Sequence, residues 1–421
     1  MGCHRPFAGS TVSVNELQPF SQSPIAAPPL RFRHRVRRLG LQAAGRAFSR
    51  SSPTTPPRSI VLIRPDHLGD LLFLTPALRA LRAALPDARI TVLAGPWSAG
   101  VIRDNRDLDA VDLCPFPGFE RRDPPASGRG HTLWRPLAPY RLLSATARRL
   151  RSGAYDTAVV LRFDHWWGAW LAAAAGIPRR IGYDLPETRP FLTEALPYTH
   201  NRHEVEQNAN LLAALAPGSD WSLGPTRFDV TSEDRAWAKD WLASHDVKAG
   251  KPLIAIHPGA GAAVKQWPVA AWAEVACGLC DAVGAHIVLT GSTQERQLAQ
   301  QISDKTGRPL LDAAGQTSLG QLAALMEQCS LVLGSDCGPL HLAVAVDVPT
   351  IHLYGPVSSA RFGPWGEGSR HVVLKAAWGC VPCNRLDWPR QALAMHMCLA
   401  AIRPGQVLAA AKELLRGDPR L

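Results

Sequence analysis

The sequence predicts an α/β protein built from two Rossmann-like, doubly wound domains facing across a cleft, and three observations carry that expectation. Short apolar, partly β-branched runs alternate with stretches of helical periodicity, the pattern of a parallel sheet covered on both faces. The alternation occurs twice, on either side of a turn-rich break at Ala216-Pro-Gly-Ser-Asp-Trp-Ser-Leu-Gly-Pro225. Strands of the second run end in small or polar loops, where open α/β sheets collect ligands. With 421 residues and 46% hydrophobic content, the chain has material for two cores. The expected divisions are a basic arm at 1–58, a first domain at 59–225, a second at 226–403, and a closing segment at 404–421.

The arm holds nine arginines and one acidic residue, Glu16, and so carries +8 of the net +11. The remainder is nearly neutral, which argues against a nucleic-acid-binding body. Pro, Ser and Arg dominate the arm, so it is expected to be disordered. Its densest part, Arg31-Phe-Arg-His-Arg-Val-Arg-Arg38, suits a peripheral contact with anionic lipid on the inner face of the cytoplasmic membrane. No apolar run reaches the roughly 18 residues of a membrane span, and no apolar segment follows the arginines as in a secretory signal. A cytoplasmic location is the expectation.

In the first run, strands are expected near 59–63, 89–94 and 155–161, with helices near 70–84, 139–151, 164–176 and 203–216. A Pro-, Gly- and Arg-rich insertion at 115–139 is long enough to be functional, and is expected to border an acceptor site. In the second run, strands are expected at 253–257, 286–290, 331–333 and 350–354, with helices near 268–283, 293–305, 318–329 and 338–346. A last helix, from about Pro404 to Leu415, is expected to fold back on the first domain.

Between the first strand and its helix lies Arg64-Pro-Asp-His-Leu-Gly-Asp70. Asp66 and Asp70 there would face a crevice at the strand end. The purely structural alternative makes Asp70 a helix cap, and a carboxylate bonded to several amides is a weak base. In the second run, three loops suit an anion such as a diphosphate. They are His257-Pro-Gly-Ala-Gly-Ala-Ala263, Gly291-Ser-Thr-Gln-Glu295 and Gly334-Ser-Asp-Cys-Gly-Pro-Leu-His341. Small residues (Gly259, Ala260, Gly261, Gly291, Ser292, Cys337, Gly338) let backbone N–H groups come close, and the helix after Gly338 aims its positive end at the ligand. Lys265 adds a full charge. Glu295 is read either as an acceptor for ribose hydroxyls or as a solvated helix-start charge. Asp336 also reads as a cap, and His257 and His341 as core histidines.

Nine cysteines are scattered without a disulfide framework. Cys380, Cys383, Cys398 and His396 have zinc-like spacing, but the expectation is no metal in the chemistry. Neither a Gly-x-Gly-x-x-Gly fingerprint after the first strand nor a Walker-type loop occurs, so hydride transfer and ATP hydrolysis lose ground. What remains is sugar transfer from a nucleotide diphosphate.

From about Ser59 to Val407 the chain resembles glycosyltransferase family 9, the bacterial heptosyltransferases of the lipopolysaccharide core. The motifs that carry the resemblance are Arg64-Pro-Asp-His-Leu-Gly-Asp70 with Thr75-Pro-Ala-Leu78, Arg179-Arg-Ile-Gly-Tyr-Asp184, His203-Glu-Val-Glu206, His257-Pro-Gly-Ala260 with Lys265-Gln-Trp-Pro268, and Ser335-Asp-Cys-Gly-Pro-Leu-His341. The resemblance implies a GT-B fold and a metal-independent, inverting transfer, with no cofactor beyond an ADP-linked sugar. It assigns Asp70 as base, Lys265 to the donor phosphates, and Asp336, Gly338 and His341 to the donor cradle. Cys337 departs from the family's usual Thr or Ser. The acceptor is expected to be a glycolipid, with Arg64, Asp66, Arg162 and His203 on its side. An epimerase or phosphorylase of the same fold, and a catalytically silent scaffold at the membrane, are the alternatives.

Overall fold

The computed structural model describes residues 32–48, 55–120, 137–247 and 250–417. Two compact units divide between Leu223 and Gly224. The first contains α1 (Phe32–Gly45), β1 (Ser59–Arg64), α2 (Leu68–Leu72), α3 (Thr75–Ala84), β2 (Arg89–Ala94), β3 (Ala110–Leu113), α4 (Ala138–Ser152), β4 (Thr157–Val160), α5 (Trp166–Ala174), β5 (Arg179–Tyr183), β6 (Glu194–Leu196) and α6 (Glu204–Ala213). The second contains α7 (Ser232–Ser244), β7 (Leu253–His257), α8 (Val269–Val283), β8 (His286–Leu289), α9 (Arg296–Thr306), β9 (Leu311–Asp312), α10 (Leu319–Glu327), β10 (Leu331–Ser335), α11 (Gly338–Ala345), β11 (Thr350–Tyr354), α12 (Ser359–Phe362), β12 (His371–Lys375) and α13 (Pro404–Arg416).

Each unit holds one six-stranded sheet, in the orders β3-β2-β1-β4-β5-β6 and β12-β11-β10-β7-β8-β9. Every strand pairing is parallel. In both, the chain winds outward from one central strand and then returns to that strand's other side. The order therefore reverses between β1 and β4 in the first unit, and between β7 and β10 in the second. Ligands of doubly wound sheets gather at these reversals, outside the strands' carboxyl ends. Central strands are apolar throughout because helices cover both faces. Ile60, Val61, Leu62 and Ile63 of β1 are all fully buried, as are Ile254, Ala255 and Ile256 of β7.

Several expectations are corrected. The single helix foreseen over 70–84 is two, because Pro76 has no N–H to return to the Leu72 carbonyl. The Thr75 hydroxyl donates to that carbonyl instead, at 2.8 Å. Within the arm, Phe32–Gly45 forms a helix whose Leu41 is buried in the first unit's core. Phe48, just beyond it, meets Phe191 edge-on at 6.0 Å. The rest of the arm, residues 1–31 and 49–54, and the 121–136 part of the insertion lie outside the described residues. Helix α13 has an apolar face that belongs to the second unit's core. Val407, Ala411 and Leu415 are buried in the second unit's own core with Trp272 and Leu279 of α8. Strands β3, β5, β6, β9 and β12 and helix α7 were not anticipated. The missed strands are short or charged, and neighbouring strands rather than local pattern hold them in place. Among the described residues no single helix is long and apolar enough to cross a membrane.

Candidate active site

At the reversal point of the first sheet, β1 delivers Arg64, the following turn delivers Asp66, and the first turn of α2 delivers Asp70. Arg64 is 2% exposed. Its guanidinium pairs with Asp66 at 2.8 Å, with Glu204 at 3.3 Å and with Asp70 at 3.4 Å. It also donates to the Asn208 side-chain oxygen at 3.0 Å. Arg162, following β4, pairs with the other oxygen of Asp66 and with Asp164. The turn itself is pinned by Trp97 and Ser98, which donate to the Asp66 carbonyl at 3.0 and 2.9 Å.

One buried cation thus serves three carboxylates, and the sharing is unequal. Burial opposes charge on Asp66, but Arg64 and Arg162 overcome it and hold that carboxyl below its usual range. Asp70 is further from Arg64 and lacks Arg162 as a direct partner. Burial, followed by repulsion from Asp66 and Glu204, lifts its carboxyl to about 6. The capping alternative is present in part, since Asp70 accepts from the His67 amide at 3.3 Å. That single long contact does not offset the raising influences. With its side chain 24% exposed, Asp70 keeps a route to a substrate.

Arg64, Asp66, Asp70 and Arg162 therefore form one cluster. His203 does something else. It precedes α6, where its Nδ1 accepts from the Val205 amide at 3.1 Å and its ring meets Phe73 edge-on. Its position in the chain serves to seat Glu204 and Asn208 on Arg64. Those two residues were not singled out as site residues from sequence. Glu204 lies inside a quoted motif, where the structure shows His203 and Glu206 forming a capping box around it.

At the second reversal point, Lys265 and Asp336 meet. The Lys265 ammonium donates to Asp336 at 2.8 Å, and His341 Nε2 lies 3.8 Å from the other carboxylate oxygen. Burial would raise the Asp336 carboxyl, yet Lys265 and His341 hold it well below the usual range. A permanent anion therefore fixes the ammonium in place. Cys337 precedes α11 and is buried, and burial pushes its thiol up to about 12, so it is neutral. Gly338 opens α11 with Pro339 behind it, and His341 is buried one turn on.

The other two loops meet through Glu295. It accepts from the amide and hydroxyl of Ser292, both at 2.8 Å. It also lies against Gly259, where a Cβ would fall 1.9 Å from a carboxylate oxygen, and against Gly291. Ala260 and Gly261 continue the loop toward solvent. His257 is structural: its Nδ1 is 3.1 Å from the Thr290 hydroxyl, and burial lowers its pKa. Among the described residues no group of three or more His, Cys, Asp or Glu is arranged to hold a metal ion, Cys380, Cys383, Cys398 and His396 included.

The sequence model of glycosyltransferase family 9 (heptosyltransferase) matches residues 143–389. Lipopolysaccharide heptosyltransferase 2 of Escherichia coli (strain K12) is 26% identical over 368 residues, spanning 85% of this chain and 98% of that one. Lipopolysaccharide heptosyltransferase 1 of Pseudomonas aeruginosa is 26% identical over 337 residues, 77% of this chain and 85% of its own. Among solved structures, a glycosyl transferase family 9 protein of Veillonella parvula superposes with a TM-score of 0.69 at 24% identity, covering 86% of this chain and 98% of the other. The Escherichia coli ADP-heptose lps heptosyltransferase II superposes at 0.63 and 22%, covering 85% and 98%. These likenesses place the two Rossmann-like units in the GT-B fold class.

Proposed function

Because the chain belongs to glycosyltransferase family 9, we propose that it moves a heptose from an ADP-linked donor to a lipopolysaccharide-core or related cell-envelope glycan, inverting the anomeric centre without a metal. The observation that carries this reading is the Asp70 carboxylate, poised near neutrality at the end of β1. A general base works best when its pKa lies near the operating pH. Asp70 takes the proton of the acceptor hydroxyl as that oxygen attacks the anomeric carbon. The bond to the diphosphate breaks in the same displacement, so the configuration inverts. Lys265 and the first amides of α11 stabilise the departing diphosphate, a cationic role that needs no metal. Glu295 accepts from ribose hydroxyls in this reading, which its bonds to Ser292 and its contact with Gly259 support.

The donor class is tested by thermal shift over ADP, UDP, GDP and their sugars. Only ligands that favour the folded state raise its stability, by about 2.7 kcal/mol at a hundredfold excess over Kd. ADP and ADP-heptose are expected to give the largest shifts. A UDP- or GDP-selective shift would overturn the donor assignment. Product analysis with and without acceptor separates transfer from epimerase or phosphorylase chemistry, and absence of any product would leave the scaffold alternative.

We further propose that the enzyme works on the inner face of the cytoplasmic membrane. Supporting this, α1 presents Val36 and Leu39, 51% and 66% exposed, among Arg35, Arg37 and Arg38. Each arginine near an anionic surface contributes on the order of 1 kcal/mol. Co-sedimentation with vesicles containing phosphatidylglycerol, weakened by salt and absent with phosphatidylcholine alone, is the expected result. Equal binding to both would remove the electrostatic contact.

A further inference from the structure

Beside the Asp70 cluster, a cavity of about 370 Å³ opens in the first unit, within the size range of small-molecule sites. Its walls are aromatic: Phe119, Tyr140, Trp166 and Trp167. Trp167 is fixed there by donating its indole N–H to the Pro139 carbonyl at 3.1 Å. Tyr140 is 46% exposed, so its ring is accessible to a ligand. Polar groups are few, namely Arg162, Asp164 and His165.

These polar groups have two properties that describe an occupant. First, their charges cancel locally. Arg162 is shared between Asp66 and Asp164, leaving no spare cation for a phosphate or carboxylate. Burial lowers the His165 pKa to about 3, so the imidazole adds no charge. Second, His165 is 4% exposed and neither ring nitrogen has a hydrogen-bond partner among the described residues. The ring is wedged between Phe116 and Phe119, edge-on at 5.3 and 5.4 Å. Gly168 makes room for it, since a Cβ there would sit 2.3 Å from Nδ1. A glycine inside a helix and an unsatisfied buried polar group are both destabilising. Packing alone does not account for holding an imidazole there at that cost. A ligand hydroxyl reaching the ring would supply the missing partner.

Aromatic walls with a few neutral or balanced polar groups suit a pyranose ring. Its C–H faces lie against the electron-rich ring faces, and its hydroxyls need donors and acceptors rather than counter-charge. Arg162 links this cavity to the base, through Asp66 and Arg64, so the occupant belongs to the acceptor. We propose that the cavity is a subsite for an uncharged sugar ring of the acceptor, seated on Tyr140 and Trp166 with hydroxyls toward Asp164 and His165. The inference rests on the glycosyl-transfer reading above. It adds that this subsite selects against phosphorylated or acidic sugars.

The test is saturation-transfer NMR and calorimetry on the full chain, with methyl glycosides of glucose, galactose and a heptopyranose, against glucose 6-phosphate and methyl glucuronide. Saturable binding of at least one neutral glycoside is expected, with the charged sugars weaker by about tenfold or more. Tyr140→Ala and Asp164→Asn should each weaken the neutral probe about tenfold, with unchanged thermal midpoint and unchanged ADP affinity. Charged sugars binding as well as neutral ones, binding that survives both substitutions, or no binding of any neutral probe would each overturn the proposal. The ADP measurement reads the donor assignment separately, so loss of ADP binding with sugar binding intact would count against the transferase reading and not against this subsite.

Discussion

Asp70→Asn is expected to lower turnover by about 10²- to 10⁴-fold, the usual contribution of a positioned general base, while ADP affinity stays nearly unchanged. The substitution also separates catalysis from capping. Loss of a helix cap destabilises by about 0.5–2 kcal/mol. Asp70, however, has a folded-state pKa lifted from 3.8 to about 6. Between those values the folded chain binds the extra proton, so stability from this group falls as pH rises through about 6. At pH 7 the ionised carboxylate is a net cost, and the asparagine variant should have an equal or higher thermal midpoint. Arg64 keeps Asp66 and Glu204 as partners, so no buried charge is stranded. The rate should follow the same group with the opposite preference. Wild-type turnover is expected to fall tenfold per pH unit below about 6, because a protonated carboxyl cannot take up the acceptor's proton. A variant that turns over normally and melts early would return Asp70 to the capping role.

Lys265→Ala is expected to fail in two measurable ways. Loss of a preorganised charge at the leaving group should lower turnover by about 10²-fold or more and weaken ADP binding. Asp336 is also left buried without its cation, and breaking such a pair costs about 3–5 kcal/mol. The side chains of the two residues are only 12% and 10% exposed. Adding Asp336→Asn to the alanine variant should recover much of the thermal midpoint, because no buried anion remains, and should recover none of the turnover. Calorimetry with ADP decides the assignment: unchanged affinity in Lys265→Ala would remove the lysine from the donor site. The pair also carries an acid limit. With the Asp336 carboxyl held below its ordinary 3.8, its contribution to stability is present above that value and is lost as pH falls further.

Much of this architecture was legible because central parallel strands advertise themselves. Ser59–Arg64, Arg89–Ala94, Leu253–His257 and Thr350–Tyr354 are mostly apolar or β-branched, with polar residues at their ends and His352 the one inner residue that is neither, since helices bury both faces. Edge strands such as Ala110–Leu113, half in water, have no such pattern. The arm shows the same limit. Arginine-rich composition pointed to a disordered leader, yet Leu41 finds a place in the first core and the segment around it is helical.

At the level of chemistry, the residues themselves pointed to three loops suited to an anion, and showed that a carboxylate follows the first strand and that a lysine follows the first glycine loop. These are properties of residue type and spacing at strand ends, which the winding of the sheet converts into a site. Only the tertiary structure decided what state each group is in. Arg64 and Glu204 are separated by 140 positions and pair at 3.3 Å. Coulomb energy and desolvation depend on distance and burial, and neither is written in local sequence. The same reason explains why His203, chosen for its chemistry, turned out to hold a helix end, and why His165, near the start of the helix expected at 164–176, has no hydrogen-bond partner among the described residues and lines an aromatic cavity.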